Sequence, residues 1–236
     1  MKKLVSILLV ALMFTTVFCS CTNKSNESEN TTKNNEVTQQ ETETLEKDFH
    51  SIMELSEVDY PTSNEDWEYT IYKDLMGFYE KFVVITKYIG KETSIIIPKE
   101  LDGYPVLSIE NLSTRTESII NSVETQEGLL CIGNSAFYGS DISNIKISNT
   151  VQYIEAGAFS FCQELNEIEI PNSVKCIDMD AINGCNNLEK VIIPVNVEEI
   201  NGFVSYRSSN LVVFGESGSK AAQWCAENNV KFEVMK

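Results

Sequence analysis

The stretch that decides the fold is ISNIKISNTVQYIEAGAFSFCQE (142–164), LNEIEIPNSVKCIDMDAINGCNN (165–187) and LEKVIIPVNVEEINGFVSYRSSN (188–210). Each segment is 23 residues long, and a fourth begins in register at Leu211. Ile145 and Ile147, Ile168 and Ile170, and Val191 and Ile193 are each separated by one residue. Such pairs share one side of a short strand, while the residue between them faces the other way. Pro171 and Pro194 follow at once, as Pro98 follows Ile97. Proline lacks the ladder donor and suits the point where a strand ends. Val151 and Ile154, Val174 and Ile177, and Val197 and Ile200 then begin a return path. Ala158-Phe159 reads as a turn whose ring fills the space between two walls. One unit of this size cannot bury its own apolar face, so the units must stack into a solenoid. That reading requires Ile145, Ile168 and Val191 to stand side by side on neighbouring parallel strands.

Working outward, a weaker unit precedes these: Ile120, Val123, Leu129, Ile132 and Ala136-Phe137. An earlier half-unit holds Ile97, Val106 and Ile109, with an insertion at Asp102-Gly103. About five coils are expected. Trp67 to Tyr72 and Lys81 to Tyr88 read as antiparallel strands around a turn near Asp74 to Gly77. At the other end Ser219 precedes an expected helix over Lys220 to Asn228, followed by the alternation Val230, Phe232, Val234. Ala221 and Trp224 are placed on the last coil. Both ends would cover sheet edges that otherwise invite aggregation.

The three repeat segments resemble the BspA-type leucine-rich repeat family. So do the flanks: KFVVITKYIGKETSIIIPKELDGYPVLSIEN is similar to the family's opening segment, and LVVFGESGSKAAQWCAENNVKFEVMK to its closing one. The resemblance covers roughly residues 67–236. It implies a β-rich leucine-rich-repeat solenoid of 23-residue BspA-like coils with parallel strands, an antiparallel β N-cap and an α/β C-cap. It also implies a cell-surface location and a role in binding or adhesion, to host or matrix proteins or to other surface proteins. The chain departs from the family pattern where Ser148 replaces the strand-end proline, where Ile182 and Ser205 replace the phenylalanine, and through the degenerate residues 110–128.

Lys2-Lys3 followed by Leu4 to Phe18 reads as a secretory signal, too short for a comfortable membrane span. Ser20-Cys21 after it resembles a bacterial lipobox, so Cys21 is the expected lipid-attachment residue and 1–20 the removed leader. Residues 21–59 are expected to be a disordered acidic tether. Positions 22–59 hold ten acidic residues against three lysines and almost no large apolar group before Phe49. As a flexible coil such a segment would span roughly 35 Å root-mean-square. A short helix within Leu45 to Val58 is also considered. The remaining boundaries are 60–113 for the β cap and first half-coil, 114–210 for the repeats and 211–236 for the closing cap.

A formal charge of −17 argues against steering toward nucleic acid or anionic lipid headgroups; membrane contact is assigned to the acyl chains instead. The expected domain carries Cys131, Cys162, Cys176, Cys185 and Cys225, an odd number, so a complete disulfide framework is not possible. Cys162 and Cys185 occupy one position in adjacent coils, close enough for a bond, yet read better as small buried fillers. The chain has one histidine, His50, assigned to the tether, which removes the common histidine-dependent catalytic and metal constellations. Asp178 and Asp180 lack the remaining features of a calcium loop and are expected to be solvated turn residues. No catalytic residue, metal or cofactor is expected, and the protein is read as a binding protein rather than an enzyme.

The expected ligand surface is the strand face, with Asn144, Lys146, Glu167, Glu169, Lys190 and Ile192 pointing outward and Pro171, Asn172, Pro194 and Val195 at its rim. The partner would be a protein or other macromolecule. The competing readings are a passive envelope component or a subunit that assembles with other proteins of the same surface, and, from a third class, an unrecognised hydrolase.

Overall fold

The computed structural model describes residues 49–54, 56–74, 77–112, 120–202, 208 and 210–235. Cys21, the leader, most of the tether, residues 113–119, Val204 and Ser205 lie outside the described residues. The elements, in chain order, are α1 (Phe49–Glu54), β1 (Ser56–Ser63), β2 (Trp67–Asp74), β3 (Lys81–Tyr88), β4 (Ser94–Ile96), β5 (Glu100–Leu101), β6 (Tyr104–Ile109), β7 (Ser122–Glu124), β8 (Cys131–Ile132), β9 (Asn144–Lys146), β10 (Tyr153–Ile154), β11 (Glu167–Glu169), β12 (Cys176–Ile177), β13 (Lys190–Ile192), β14 (Glu199–Ile200), β15 (Val212–Gly215), α2 (Lys220–Asn228) and β16 (Lys231–Val234).

The strands form two walls. The first is a nine-stranded sheet in the order β1-β2-β3-β6-β8-β10-β12-β14, with β5 paired to β6. Strands β1 to β3 are antiparallel, and from β3 onward the path runs parallel. Ile109, Ile132, Ile154, Ile177 and Ile200 are direct neighbours along it, one per coil. The second wall consists of two parallel sheets, β4-β7-β9 and β11-β13-β15-β16. Here Ile95, Val123 and Ile145 form one row, and Ile168, Val191 and Val213 another. The walls enclose a continuous apolar core in which Phe137 and Phe159 stack with ring centroids 5.5 Å apart. Ile182, at the equivalent position of the next coil, is fully buried in place of a ring. The result is a solenoid of about six turns, one more than the apolar pattern alone indicates.

The required row of Ile145, Ile168 and Val191 is met only in part. Ile168 pairs with Val191, but β9 and β11 touch without joining in a ladder. The chain at the end of β9 differs from its counterpart after β11. Ser148 stands where the next two coils have proline, and its backbone N–H donates to Thr125 Oγ1 at 2.8 Å. Thr150 Oγ1 donates to the Leu129 carbonyl at 2.8 Å and accepts from Gly128 N–H at 2.9 Å. These bonds tie the coil back toward its predecessor. Ile145 and Ile147 are only half-buried, whereas Ile168 and Ile170 are buried.

At the ends, β2 and β3 match the expected antiparallel pair, and the Asp74 carboxylate organises the turn by accepting from Gly77 and Tyr79 N–H. Helix α2 contacts β14, β15 and β16, and buries Ala221, Trp224 and Cys225. The first end corrects an expectation. Residues 49–54 are helical and β1 begins at Ser56, within the segment expected to be tether, and the helix falls within the 45–58 considered. Its order follows from burial of Phe49 and Ile52, with Met53 packed beside them.

Candidate functional site

The candidate surface is the outward side of the second wall. Alternation fixes which residues reach it: in β11 Ile168 is buried while Glu167 and Glu169 are exposed, and β13 repeats the pattern around Val191. Parallel, in-register pairing then arranges the outward residues in two straight columns. One holds Glu167, Lys190, Val212 and Lys231; the other holds Glu169, Ile192, Phe214 and Glu233. Lys190 Nζ pairs with Glu167 Oε1 and lies 5.9 Å from the centroid of the Phe214 ring. Lys231 Nζ is 2.7 Å from Glu233 Oε1.

Asn144 and Lys146 are also exposed and outward, but on the separate sheet β4-β7-β9, where Lys146 Nζ sits 2.6 Å from Glu124 Oε1. The six residues expected from the repeats thus face outward in two groups: Asn144 with Lys146, and Glu167, Glu169, Lys190 and Ile192. The rim divides as well. Pro171 and Pro194 are buried, whereas Asn172 is exposed and Val195 is 46% exposed. Sequence reasoning missed Glu124, Val212, Phe214, Lys231 and Glu233. The signal for the first three was present, since carrying the repeat one step back or forward reaches them.

Lys146, Lys190 and Lys231 are each paired with a carboxylate on the same face, of Glu124, Glu167 and Glu233. Ion pairs this exposed contribute roughly 0–1 kcal/mol each, so they set the surface pattern more than they hold the fold. The apolar members are concentrated at one end, where half-buried Val212, Ile192 and Phe214 adjoin.

On cysteine chemistry, Cys131, Cys162, Cys185 and Cys225 are free and buried. Cys162 Sγ donates to the Phe137 carbonyl and Cys185 Sγ to the Phe159 carbonyl, each at 3.1 Å. Both are therefore fillers with a satisfied S–H. Burial pushes the Cys225 thiol up to about 11. Two polar expectations need correction. Asp180 is an exposed turn residue, but Asp178 is buried, because it follows Ile177 in the strand column in which Glu155 follows Ile154. His50 belongs to the fold, with its ring against Tyr153 and Glu155. Among the described residues no cluster of histidine, cysteine or carboxylate side chains could hold a metal ion, and no helix is long and apolar enough to cross a membrane.

Comparison with known proteins agrees with this architecture. No curated protein matches the chain. A leucine-rich repeat protein of T. pallidum superposes with a TM-score of 0.55 at 25% identity, covering 66% of this chain and 71% of that one. The pneumococcal vaccine antigen PcpA gives 0.47 at 19% identity, over 73% of this chain and 48% of its own. A leucine-rich repeat protein from Bacteroides ovatus gives 0.45 at 20% identity, over 62% and 43%. The family model described as the BspA type leucine rich repeat region matches residues 88–212 in six copies, and on that match, with its stacked parallel coils, the chain belongs to the BspA-type leucine-rich repeat family.

Proposed function

We propose that the protein is an exported surface protein, lipid-anchored through Cys21 on the extracellular side of the cell membrane, that binds another macromolecule through the strand face. The observation that carries the reading is the pair of straight columns on β11, β13, β15 and β16, which present alternate residues at a fixed spacing along a rigid wall. Repeat proteins use such extended faces for recognition. The centre of the surface is Glu167, Glu169, Lys190 and Ile192, with Phe214 as an aromatic anchor beside them; Asn144 and Lys146 form its margin. The partner class is protein, either host or matrix material or another surface protein.

The test reverses Glu167, Glu169 and Lys190 together and measures capture of partners from host matrix extract and from the envelope of the same cells. Circular dichroism and the melting temperature serve as folding controls. Capture that falls at least about tenfold with folding intact supports the reading, that being the scale of a few lost interface contacts. Unchanged capture refutes the strand face. Crosslinks confined to proteins of the same envelope would favour the cis-assembly alternative. Turnover that depends on a single acidic residue would favour a hydrolase. Mass spectrometry of the mature N-terminal peptide tests the anchor, and an unmodified Cys21 would refute it.

A further inference from the structure

The end strand of a sheet presents unpaired backbone groups and joins another chain unless something blunts it. The opening edge of the first wall is blunted. In β1 the register against β2 shifts between Val58 and Tyr60, so Asp59 is left without a partner residue. Pro61 follows, with no N–H to offer, and Glu57 and Asp59 stand exposed on the same strand. The closing edge of the second wall carries none of these devices. Strand β16 pairs with β15 over all four of its residues without a break in register, and among the described residues no strand pairs with its other side. Its sequence, Lys231-Phe232-Glu233-Val234, holds no proline.

The ladder fixes which groups that edge offers. Met235 N–H donates to the Gly215 carbonyl at 2.9 Å, so the backbone of Met235, and of Glu233 two residues before it, turns toward β15. The N–H and C=O groups of Phe232 and Val234 therefore turn to the open side. The side chains alternate on the other axis. Lys231 and Glu233 reach the outward surface, with Lys231 Nζ 2.7 Å from Glu233 Oε1, while Phe232 lies against the main core. Helix α2 packs into that core through Ala221, Trp224 and Cys225 and leaves the edge open. Past Phe232 the apolar cover runs out: Val234 is 56% exposed and Met235 37%.

We propose that β16 is a self-pairing edge, joined antiparallel to β16 of a second copy of this chain about a two-fold axis through Phe232. The register follows from backbone direction and charge. With Phe232 opposite Phe232 of the second copy, the outward-turned backbone groups meet one another. Lys231 then stands opposite Glu233 of the second copy, and Val234 opposite Val230. Opposite charges directly across a ladder attract and like charges repel. The next register that keeps the backbone groups matched sets Glu233 against Glu233. The strand is thus its own complement, as a two-fold interface requires. The pairing covers Val234 and makes one sheet of two second walls, with the outward column that ends at Lys231 running on into Glu233 of the second copy. It stands independently of any ligand for the strand face. Four residues a side make a small interface, so the association is weak in dilute solution.

Lys231 and Glu233 are exposed, so substitutions there leave the fold intact. Purified Lys231→Cys and Glu233→Cys chains, mixed and oxidised with copper phenanthroline, are expected to form a disulfide-linked dimer at least about tenfold faster than either variant alone, because directly opposed residues of a non-hydrogen-bonded pair lie within disulfide reach. Cys131, Cys162, Cys185 and Cys225 are buried and add little background. Sedimentation equilibrium of the wild-type chain at concentrations up to about 1 mM should show a dimer. Glu233→Lys, which opposes lysine to lysine twice, should weaken that dimer at least about tenfold, and Lys231→Glu combined with Glu233→Lys should restore it. A monomer at every concentration overturns the proposal. So does a charge swap that fails to restore the dimer, or Glu233→Cys that crosslinks to itself faster than the mixture reacts. Growth past the dimer overturns it too, since that marks head-to-tail addition of β16 to β4 at the other end of the second wall, which never closes.

Discussion

At the scale of the residue, left-handed backbone recurs at two places in each coil. Ser135, Gly157 and Asp180 form one series, with φ of 53°, 67° and 55°. Gly139, Phe161 and Gly184 form the other, with φ of 69°, 62° and 73°. Gly184 is constrained twice over, since an added Cβ would also stand 2.7 Å from the Phe161 ring. That ring is held edge-on by Tyr138, with centroids 5.3 Å apart, and has little freedom to withdraw. Gly184→Ala is expected to cost roughly 2–3 kcal/mol, the sum of the conformational penalty and the displaced ring. Gly103, at φ 79° with nothing within 4 Å, separates the two causes. Gly103→Ala should cost only about 1 kcal/mol. Urea unfolding of both variants measures the difference, and equal losses would mean that the ring contact contributes nothing. The turn at Ala158-Phe159 was legible beforehand, but which positions around it take left-handed backbone was not. Serine, phenylalanine and aspartate stand beside glycine in the series, so residue type does not mark them.

At the scale of the element, α2 is a helix whose ends are chemically specified. Ser219 Oγ accepts from Ala222 N–H at 3.3 Å, and Asn229 closes the other end at φ 55°, its N–H donating to the Cys225 carbonyl. Ser219→Ala should cost about 1 kcal/mol. Fluorescence of Trp224 in a Trp67→Phe background, followed through a urea gradient, reads that loss where the helix packs. A midpoint within error of the parent would mean the cap carries no weight. The bounds of α2 were legible because cap, apolar face and terminating asparagines agree locally. β2 was legible because its apolar residues alternate, and β3 because Phe82 to Ile85 form a short continuous apolar run rich in β-branched residues, the mark of a strand covered on both faces. α1 was legible only as a short helix within Leu45 to Val58, and its docking was not. The partner of His50 is Glu155, 105 residues further along the chain. No local pattern announces a contact of that separation. The strand-face residues fall between these cases. Their outward direction followed from the period of two, but their division into two groups depends on a missing ladder between β9 and β11, which no residue pattern marks.

At the scale of the whole molecule, the walls differ in continuity, and in a solenoid continuity is stability. Each coil bonds only to its neighbours, so the weakest interface between coils sets where the stack opens first. Between the coils of β10 and β12 the first wall is intact: Lys175 N–H donates to the Gln152 carbonyl at 2.8 Å and Asp178 N–H to the Ile154 carbonyl at 2.9 Å. The turn side is intact too, with Phe159 N–H donating to the Ala181 carbonyl at 2.7 Å. Only the second wall is interrupted there, between β9 and β11. Thr125, Ile170 and Ile193 mark the regular pattern: their N–H groups donate to the carbonyls of Lys146, Ile192 and Phe214, each at 2.9 Å. Among the described residues the equivalent N–H of Ile147 makes no such bond. Native-state hydrogen exchange should therefore find the Ile147 amide at least about tenfold less protected than those of Ile170 and Ile193, which open only when a coil separates. Mild denaturant should release β11 to β16 as a unit before the sheet β4-β7-β9 loosens, because the stack divides where one of its two walls is interrupted. If Ile147 were as protected as Ile170, the second wall would be continuous in solution, and the gap between β9 and β11 would not be the weak point of the stack.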